Sequence, residues 1–221
     1  FHDWAGLRWT TFREAADFEW AVFHDMLSAK GAQFDCGVSF RAVEVHGWGQ
    51  FLNTHYGEMS TFELAQFKDD ADFINANLTA AVQFDEAEFD RQFNLSGATV
   101  HGPLNATATQ VHRDIVLEET TIDAAVQFDE CTVDGTVQAE GVQLNDHLLF
   151  SNSTIENIAL VPELPSGDTD GSFVSFAGAT LSQGTLGQPQ AGTTTYDLGE
   201  ATVGAVQFEG STDAPLYEYV Q

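Results

Sequence analysis

Phe84-Asp-Glu-Ala-Glu-Phe89 and Phe128-Asp-Glu-Cys-Thr-Val133 are near copies, each preceded by Ala-Val-Gln, and they stand 44 residues apart. A finer rhythm runs through the first copy. Phe73, Leu78, Phe84, Phe89, Leu95 and Val100 step by 5, 6, 5, 6 and 5 residues. Toward the start the same step meets Phe1, Leu7, Phe12, Phe18, Phe23, Ala29, Phe34, Phe40, Val45, Phe51, Tyr56, Phe62 and Phe67. Onward it meets Ala106, Val111, Leu117, Ile122, Phe128, Val133, Ala139, Leu144, Phe150, Ile155 and Val161. Every Phe in residues 1–161 except Phe93 lies on this grid. A fixed internal period is the mark of a repeat architecture.

Two residues before each grid position stands a second apolar or small residue, such as Ala32, Ala65, Ala76, Ala87, Cys131, Val38, Val82, Leu104 or Val126. An in–out–in triplet is a short strand with one buried face. The residues between triplets are mostly Asp, Glu, Asn, Gln, Gly, Ser and Thr, which suit turns and solvent. An eleven-residue period also fits a helical supercoil, but the inward positions would scatter over several sides of a helix at about 100° per residue. Residues 12–30 carry no Gly or Pro and are the one stretch with helical propensity. Phe12, Ala16, Phe18, Ala21, Phe23 and Leu27 still keep the grid, and strand is the expectation there.

Triplets this short cannot stand alone, so the chain must coil and stack. Two steps of five and two of six make a 22-residue coil of four triplets, and the 44-residue identity is two coils. The fold expected is therefore all-β: a parallel β-helix with four sides per coil. Residues 1–161 make about seven coils, with strands stacked ~4.8 Å apart and Phe rings piled along the axis. The rhythm breaks at 162–172, which reads as an inserted loop. It resumes at Val174, Phe176, Ala179 and Leu181, wavers through the Gly/Thr-rich 184–195, and returns at Tyr196, Leu198, Ala201, Val203, Val206 and Phe208. Residues 173–210 are thus further, less regular coils, and 211–221 read as a terminal cap or linker. An open end of such a helix is an unpaired edge that must be covered or paired.

These triplets resemble the pentapeptide-repeat family, whose motif places a small residue two before a central Leu or Phe. Ala87-Glu-Phe89, Ala32-Gln-Phe34, Ala65-Gln-Phe67, Ala76-Asn-Leu78 and Ala98-Thr-Val100 carry that pattern. Units such as 12–18 and 93–100 look like the eleven-residue variety frequent in haloarchaea. The resemblance implies a right-handed quadrilateral β-helix. The chain departs from the pattern in the 162–172 insertion and in the β-branched residues after position 111. The family implies little about activity. A few members inhibit type II topoisomerases by resembling DNA in shape and charge.

Charge is the dominant feature of composition: 34 Asp plus Glu face 7 Lys plus Arg, a net charge of −27. Such self-repulsion is screened in molar salt, where the Debye length is ~3 Å. Adaptation to salt is the first reading, and imitation of nucleic acid the second. The aromatic content and strict period exclude disorder for most of the chain. No apolar run approaches the ~18 residues of a membrane span. The chain shows no initiator Met and no signal-peptide pattern, so it reads as a processed product or a fragment. Cys36 and Cys131 are too few for a disulfide scaffold, and the register puts Cys131 inside and Cys36 outside.

The 22-residue coil places His2, His24 and His46 in one outward column, with Lys68 next. Trp4, Met26 and Trp48 form a parallel column two residues on. Trp20 belongs to the same coils and Trp9 lies near by, so no tryptophan falls beyond Trp48. Exposed aromatics point to a partner, and local end-capping is the competing reading. A metal on the histidine column is disfavoured, because a ladder does not converge three imidazoles on one ion. Four sequons, at Asn77, Asn94, Asn105 and Asn152, would accept N-glycans in a translocated chain. Asp168 and Asp170 resemble the opening of a calcium loop but lack the further ligands, so an acidic loop is expected. The acid pairs Asp85/Glu86, Glu118/Glu119 and Asp129/Glu130 face outward among like acids, unlike a catalytic pair. No catalytic residue, metal site or cofactor is implied. The expected function is a non-enzymatic structural or interaction protein of a halophile, at a cell or particle surface, joining a protein partner or other copies of itself through its first coils or open ends. A cytoplasmic DNA-mimicking inhibitor of a type II topoisomerase is the alternative, and a polysaccharide-binding or -cleaving β-helix the third. No nucleic-acid partner is expected.

Overall fold

The computed structural model describes residues 1–163, 172–190 and 192–210. They form a parallel β-solenoid of about nine coils, with no helix among the described residues. Nothing described is therefore a helix long and apolar enough to cross a membrane. One coil shows the plan: Val38–Ser39, Glu44–Val45, Gly49–Gln50 and His55–Tyr56 are its four sides. One side of every coil contributes to a nine-stranded sheet, and the other three sides join into one of 21 strands. Neighbouring strands pair in parallel 22 residues apart, as in Tyr56↔Leu78, Phe67↔Phe89 and Val82↔Leu104. Residues 12–30 follow the same plan, with strands at Ala16–Asp17, Val22–Phe23 and Leu27–Ser28.

The corners explain how so short a strand can be used repeatedly. At every second corner a turn closes with an i to i+3 bond, such as Ala21 N–H to Phe18 O at 3.0 Å and Ala76 N–H to Phe73 O at 3.0 Å. The residue before the donor has positive φ, which defines a type II turn. These residues recur every eleven positions: Trp20, Gly31, Ala42, Asn53, Leu64, Asn75 and on to Glu130, Gly141 and Asn152. Placing an L side chain in this region costs roughly 1–2 kcal/mol. The stacked ladder supplies the compensation. The same corner residues are bonded to the next coil, as in Asn75 N–H to Ser96 O at 2.9 Å.

Inside, the grid residues stack ring upon ring. Phe18, Phe40, Phe62 and Phe84 form one column with centroids 4.9, 5.1 and 4.8 Å apart. Phe51 and Phe73 form a second, 4.7 Å apart, and Phe73 meets Phe62 edge-on at 89°. Each fully buried ring contributes roughly 1.5–3 kcal/mol. The first column is interrupted by Ala106 before Phe128 and Phe150 continue it. Phe93, the one Phe of residues 1–161 off the grid, fills the gap. Its ring lies 4.9 Å from Phe84 and 6.3 Å from Phe128. The small inward position also takes polar residues where they can reach a carbonyl one coil back. Thr109 Oγ1 donates to Phe84 O, Thr120 Oγ1 to Leu95 O and Ser153 Oγ to Phe128 O, at 3.1, 2.8 and 2.7 Å. The Cys131 thiol makes the same bond to Ala106 O at 2.9 Å, and burial pushes its pKa up to about 12. Cys36 is only half-buried.

The structure leaves the grid half-covered at its first coil and corrects it at Val161. In the first coil the grid holds: Phe1, Phe12 and Phe18 stack on Phe23, Phe34 and Phe40 at 4.7, 5.0 and 4.9 Å, although Phe1 is 65% exposed and Leu7, Phe12 and Phe18 are half-buried. Val161 does not point inward. The pairing slips from Val133↔Ile155 to Val137↔Ile158, one residue short, so Leu160 takes the core place. The strand Thr154–Glu163 then carries Pro162 and Glu163, which the sequence reading gave to the inserted loop. The coil that follows is longer than the regular period, and pairing resumes at Leu148↔Val174 and Ile155↔Leu181. The wavering stretch 184–195 contributes Leu186 to the core and is otherwise held by polar groups. The buried Gln188 amide donates to Thr194 O at 2.7 Å and accepts from Thr194 N–H at 2.8 Å, and the Tyr196 hydroxyl donates to Gly187 O at 2.6 Å.

Phe93 and Ala106 share one volume, so their substitutions should not add. Ala106→Phe alone should cost roughly 1–3 kcal/mol by overpacking, and Phe93→Ala about 3–5 kcal/mol by opening a cavity. The double variant should lose less than the sum by more than about 1 kcal/mol. Denaturant unfolding in molar salt measures the cycle, and simple additivity would refute the shared volume.

Candidate functional site

The aromatic surface of the first coils grows out of two adjoining sides. In each coil the second side ends at the histidine column and the third begins just after the Trp4–Met26–Trp48 column, so the two columns flank one corner. The His2 and His24 rings stack at 5.1 Å with planes 12° apart, and His24 and His46 lie at 5.2 Å. Nearly parallel rings aim equivalent nitrogens the same way, so His2 and His24 do not converge on one ion. His46 Nε2 instead pairs with Glu44 Oε1 at 2.9 Å.

Each tryptophan is held against the solenoid while keeping a face in solvent. Trp4 lies over Gly6, where a Cβ would come within 2.7 Å of its ring, and the Arg8 guanidinium sits 5.1 Å from its centroid. Arg8 is fixed in turn by Ser28 Oγ at 2.8 Å. Trp9 occupies the left-handed corner at the end of the third side and covers Gly31. Trp20 occupies the left-handed corner at the start of the second side, with Arg41 5.7 Å from its ring. Trp48 is tethered by its indole N–H to Asp72 Oδ2 at 2.8 Å. Trp4, Trp9, Trp20 and Trp48 remain 49, 71, 66 and 41% exposed, while Met26 is half-buried. All four rings thus border two sides that meet at the histidine corner. Beside Trp20, the residues Val22, Ala42 and Leu64 line an open apolar hollow of about 460 Å³.

The remaining candidates fall elsewhere. Asn77 and Asn152 are exposed, and Asn94 and Asn105 half-exposed. The Asn94 side chain accepts from its own sequon residue, Ser96, through N–H at 2.9 Å and Oγ at 2.7 Å. Asn152 is a left-handed corner residue. Asp168 and Asp170 lie outside the described residues. The acid pairs have structural work. Asp85 Oδ1 accepts from Thr107 N–H at 2.9 Å and Asp129 Oδ1 from Ser151 N–H at 2.7 Å, each one coil away. Glu86, Glu119 and Glu130 are left-handed corner residues.

Past Lys68 the histidine column continues through Asp90, His112 and Asp134, a continuation that 22-residue spacing makes visible but that the sequence reading left off at Lys68. Here Lys68 Nζ pairs with Asp90 Oδ1 at 3.4 Å and Glu88 Oε2 at 3.7 Å. His112 Nδ1 donates to Asp134 Oδ2 at 2.9 Å, and that bond, ahead of all other causes, raises its pKa.

Asp72 is the one buried carboxylate among the described residues. Burial raises its pKa above 3.8, and the Trp48 bond partly opposes the rise. A folded-state pKa above the unfolded one gives stability that is full at low pH and is lost as pH climbs through the raised value. Asp72→Asn keeps an acceptor for the indole and removes that loss. In molar salt, the stability advantage of Asp72→Asn over wild type should therefore grow as pH rises from 3.8 and then level off. Unfolding midpoints across pH test this, and a constant offset would rule it out.

Among curated proteins none matches the chain. Over residues 62–110 the chain is similar to the family described as pentapeptide repeats (9 copies).

Proposed function

We propose that this chain is a non-enzymatic structural or interaction protein of a halophile, exposed at a cell or particle surface and built into a larger assembly through its first coils. The observation that carries this reading is the set of four exposed tryptophans on two adjoining sides, each braced from behind by Arg, Gly or Asp. Rigid aromatics held half in solvent are the usual anchors of a protein interface, since they bury large area at small cost in side-chain entropy. A net charge of −27 supports life in strong salt, where hydrophobic contacts persist and charge repulsion is screened. The sequons at Asn77, Asn94, Asn105 and Asn152 lie on the outside of the solenoid and support an external location. The caps formed by Asp85 and Asp129 support a non-enzymatic reading, because these acids are already engaged with backbone.

The protein purified from its native source should run as an oligomer or complex in molar salt, with a mass above 24.0 kDa per chain from attached glycans. Replacing Trp4 and Trp48 together by Ser should return the chain to a folded monomer, with the thermal midpoint lowered by loss of the Trp48–Asp72 bond. Light scattering and intact-mass spectrometry read both outcomes. Unchanged assembly in the double variant counts against the interface. An unmodified chain that binds a type II topoisomerase in a salt-sensitive manner would favour the DNA-mimic reading instead.

A further inference from the structure

We infer that Glu88, Asp90 and His112, with Asp134 behind them, form a binding site for one divalent first-row transition-metal ion. One ligand atom from each of Glu88, Asp90 and His112 lies within 4.8 Å of the others. His112 Nε2 and Glu88 Oε1 are 3.6 Å apart. That is too long for a good hydrogen bond. It is close to the ~3.4 Å that separates two ligands on a tetrahedral ion with bonds of ~2.1 Å.

The imidazole is prepared for a metal by what it does on its other edge. Nδ1 donates to Asp134 Oδ2, so Nε2 is the nitrogen whose lone pair is left for a ligand bond. A carboxylate behind a histidine is the recurrent outer partner of metal-binding imidazoles, fixing tautomer and orientation. Lys68 completes the arrangement from the opposite side. It takes Oε2 of Glu88 and Oδ1 of Asp90, leaving Glu88 Oε1 toward His112. Its charge also offsets part of the repulsion between the two carboxylates.

The fold keeps these groups in place. Glu88 and Asp90 flank the fully buried Phe89, Glu88 on the two-residue strand Glu88–Phe89 and Asp90 just past its end. His112 N–H donates to Phe89 O at 2.9 Å and Asp90 N–H to Phe67 O at 2.8 Å, so three successive coils are tied beneath the site. The donor set decides the class of ion. One imidazole with two carboxylates suits Zn²⁺, Co²⁺, Ni²⁺ or Cu²⁺ and disfavours Ca²⁺ and Mg²⁺, which prefer oxygen ligands alone. Water would complete the coordination. The stacked His2, His24 and His46 lack this convergence, because each faces another imidazole rather than a carboxylate across the coil.

The test is titration of the whole chain with Zn²⁺ by calorimetry and with Co²⁺ by visible absorption. Molar KCl and excess Mg²⁺ should be present to saturate diffuse binding to the acidic surface. One ion per chain is expected, with Co²⁺ ligand-field bands that vanish in His112→Ala. The affinity should fall by more than about 100-fold in His112→Ala and by about 10- to 100-fold in Asp134→Asn. Glu86→Gln, at a corner away from the cluster, should leave it unchanged. Matching thermal midpoints of the metal-free proteins confirm that the variants fold. Binding that survives His112→Ala, or that Mg²⁺ abolishes, would assign the ions to the acidic surface and overturn the site.

Discussion

Everything in this molecule depends on apolar side chains stacking on their own counterparts one coil below. A two-residue strand cannot hold itself together, and a left-handed corner every eleven residues is intrinsically unfavourable. Both become stable only because the Phe columns fix one common coil length, which brings every backbone N–H opposite a carbonyl of the adjacent coil. Ring packing and ladder bonding therefore enforce one another. In the regular coils a slip of one residue would turn Phe40 or Phe62 outward and break stack and ladder together.

The same constraint organises the surface. Outward residues one period apart also stand one above another, so the few basic groups meet acids across coils. Arg41 pairs with Glu63, Arg91 with Asp69, Lys68 with Asp90, and His101 with Asp123. Exposed pairs of this kind contribute little in strong salt. Their consequence is placement: each of these basic side chains lies against a carboxylate one coil away. The histidine column shows both outcomes of stacking. Where imidazole meets imidazole the result is a ladder, and where it meets carboxylates the result is the Glu88–Asp90–His112 cluster. The tryptophans use a different allowance. Trp9 and Trp20 stand at corners whose positive φ turns the side chain out of the coil, so they remain exposed without disturbing the columns inside.

Departures from the period are absorbed locally. The coil that loses a residue before Ile158 exchanges Val161 for Leu160 in the core, and the lengthened coil after it returns to register by Val174. Gln188 and Tyr196 satisfy buried backbone beside Leu186, where the apolar pattern thins. Solenoids tolerate such changes because each coil contacts only its neighbours, so an error does not propagate.

The period, the strand identity of residues 12–30, the inward and outward assignment of Cys131 and Cys36, and the stacking of His2, His24 and His46 were all legible in the chain. Each follows from spacing alone, since a side chain's direction alternates along a strand and repeats with the coil. What spacing cannot express is volume and reach. That Phe93 fills the room left by Ala106 depends on ring size across two coils. That Val161 yields to Leu160 depends on where a strand can shed one residue. That Glu88, Asp90 and His112 converge depends on how long side chains bend toward one another between coils. Those are properties of packed three-dimensional neighbours, and only the assembled solenoid decides them.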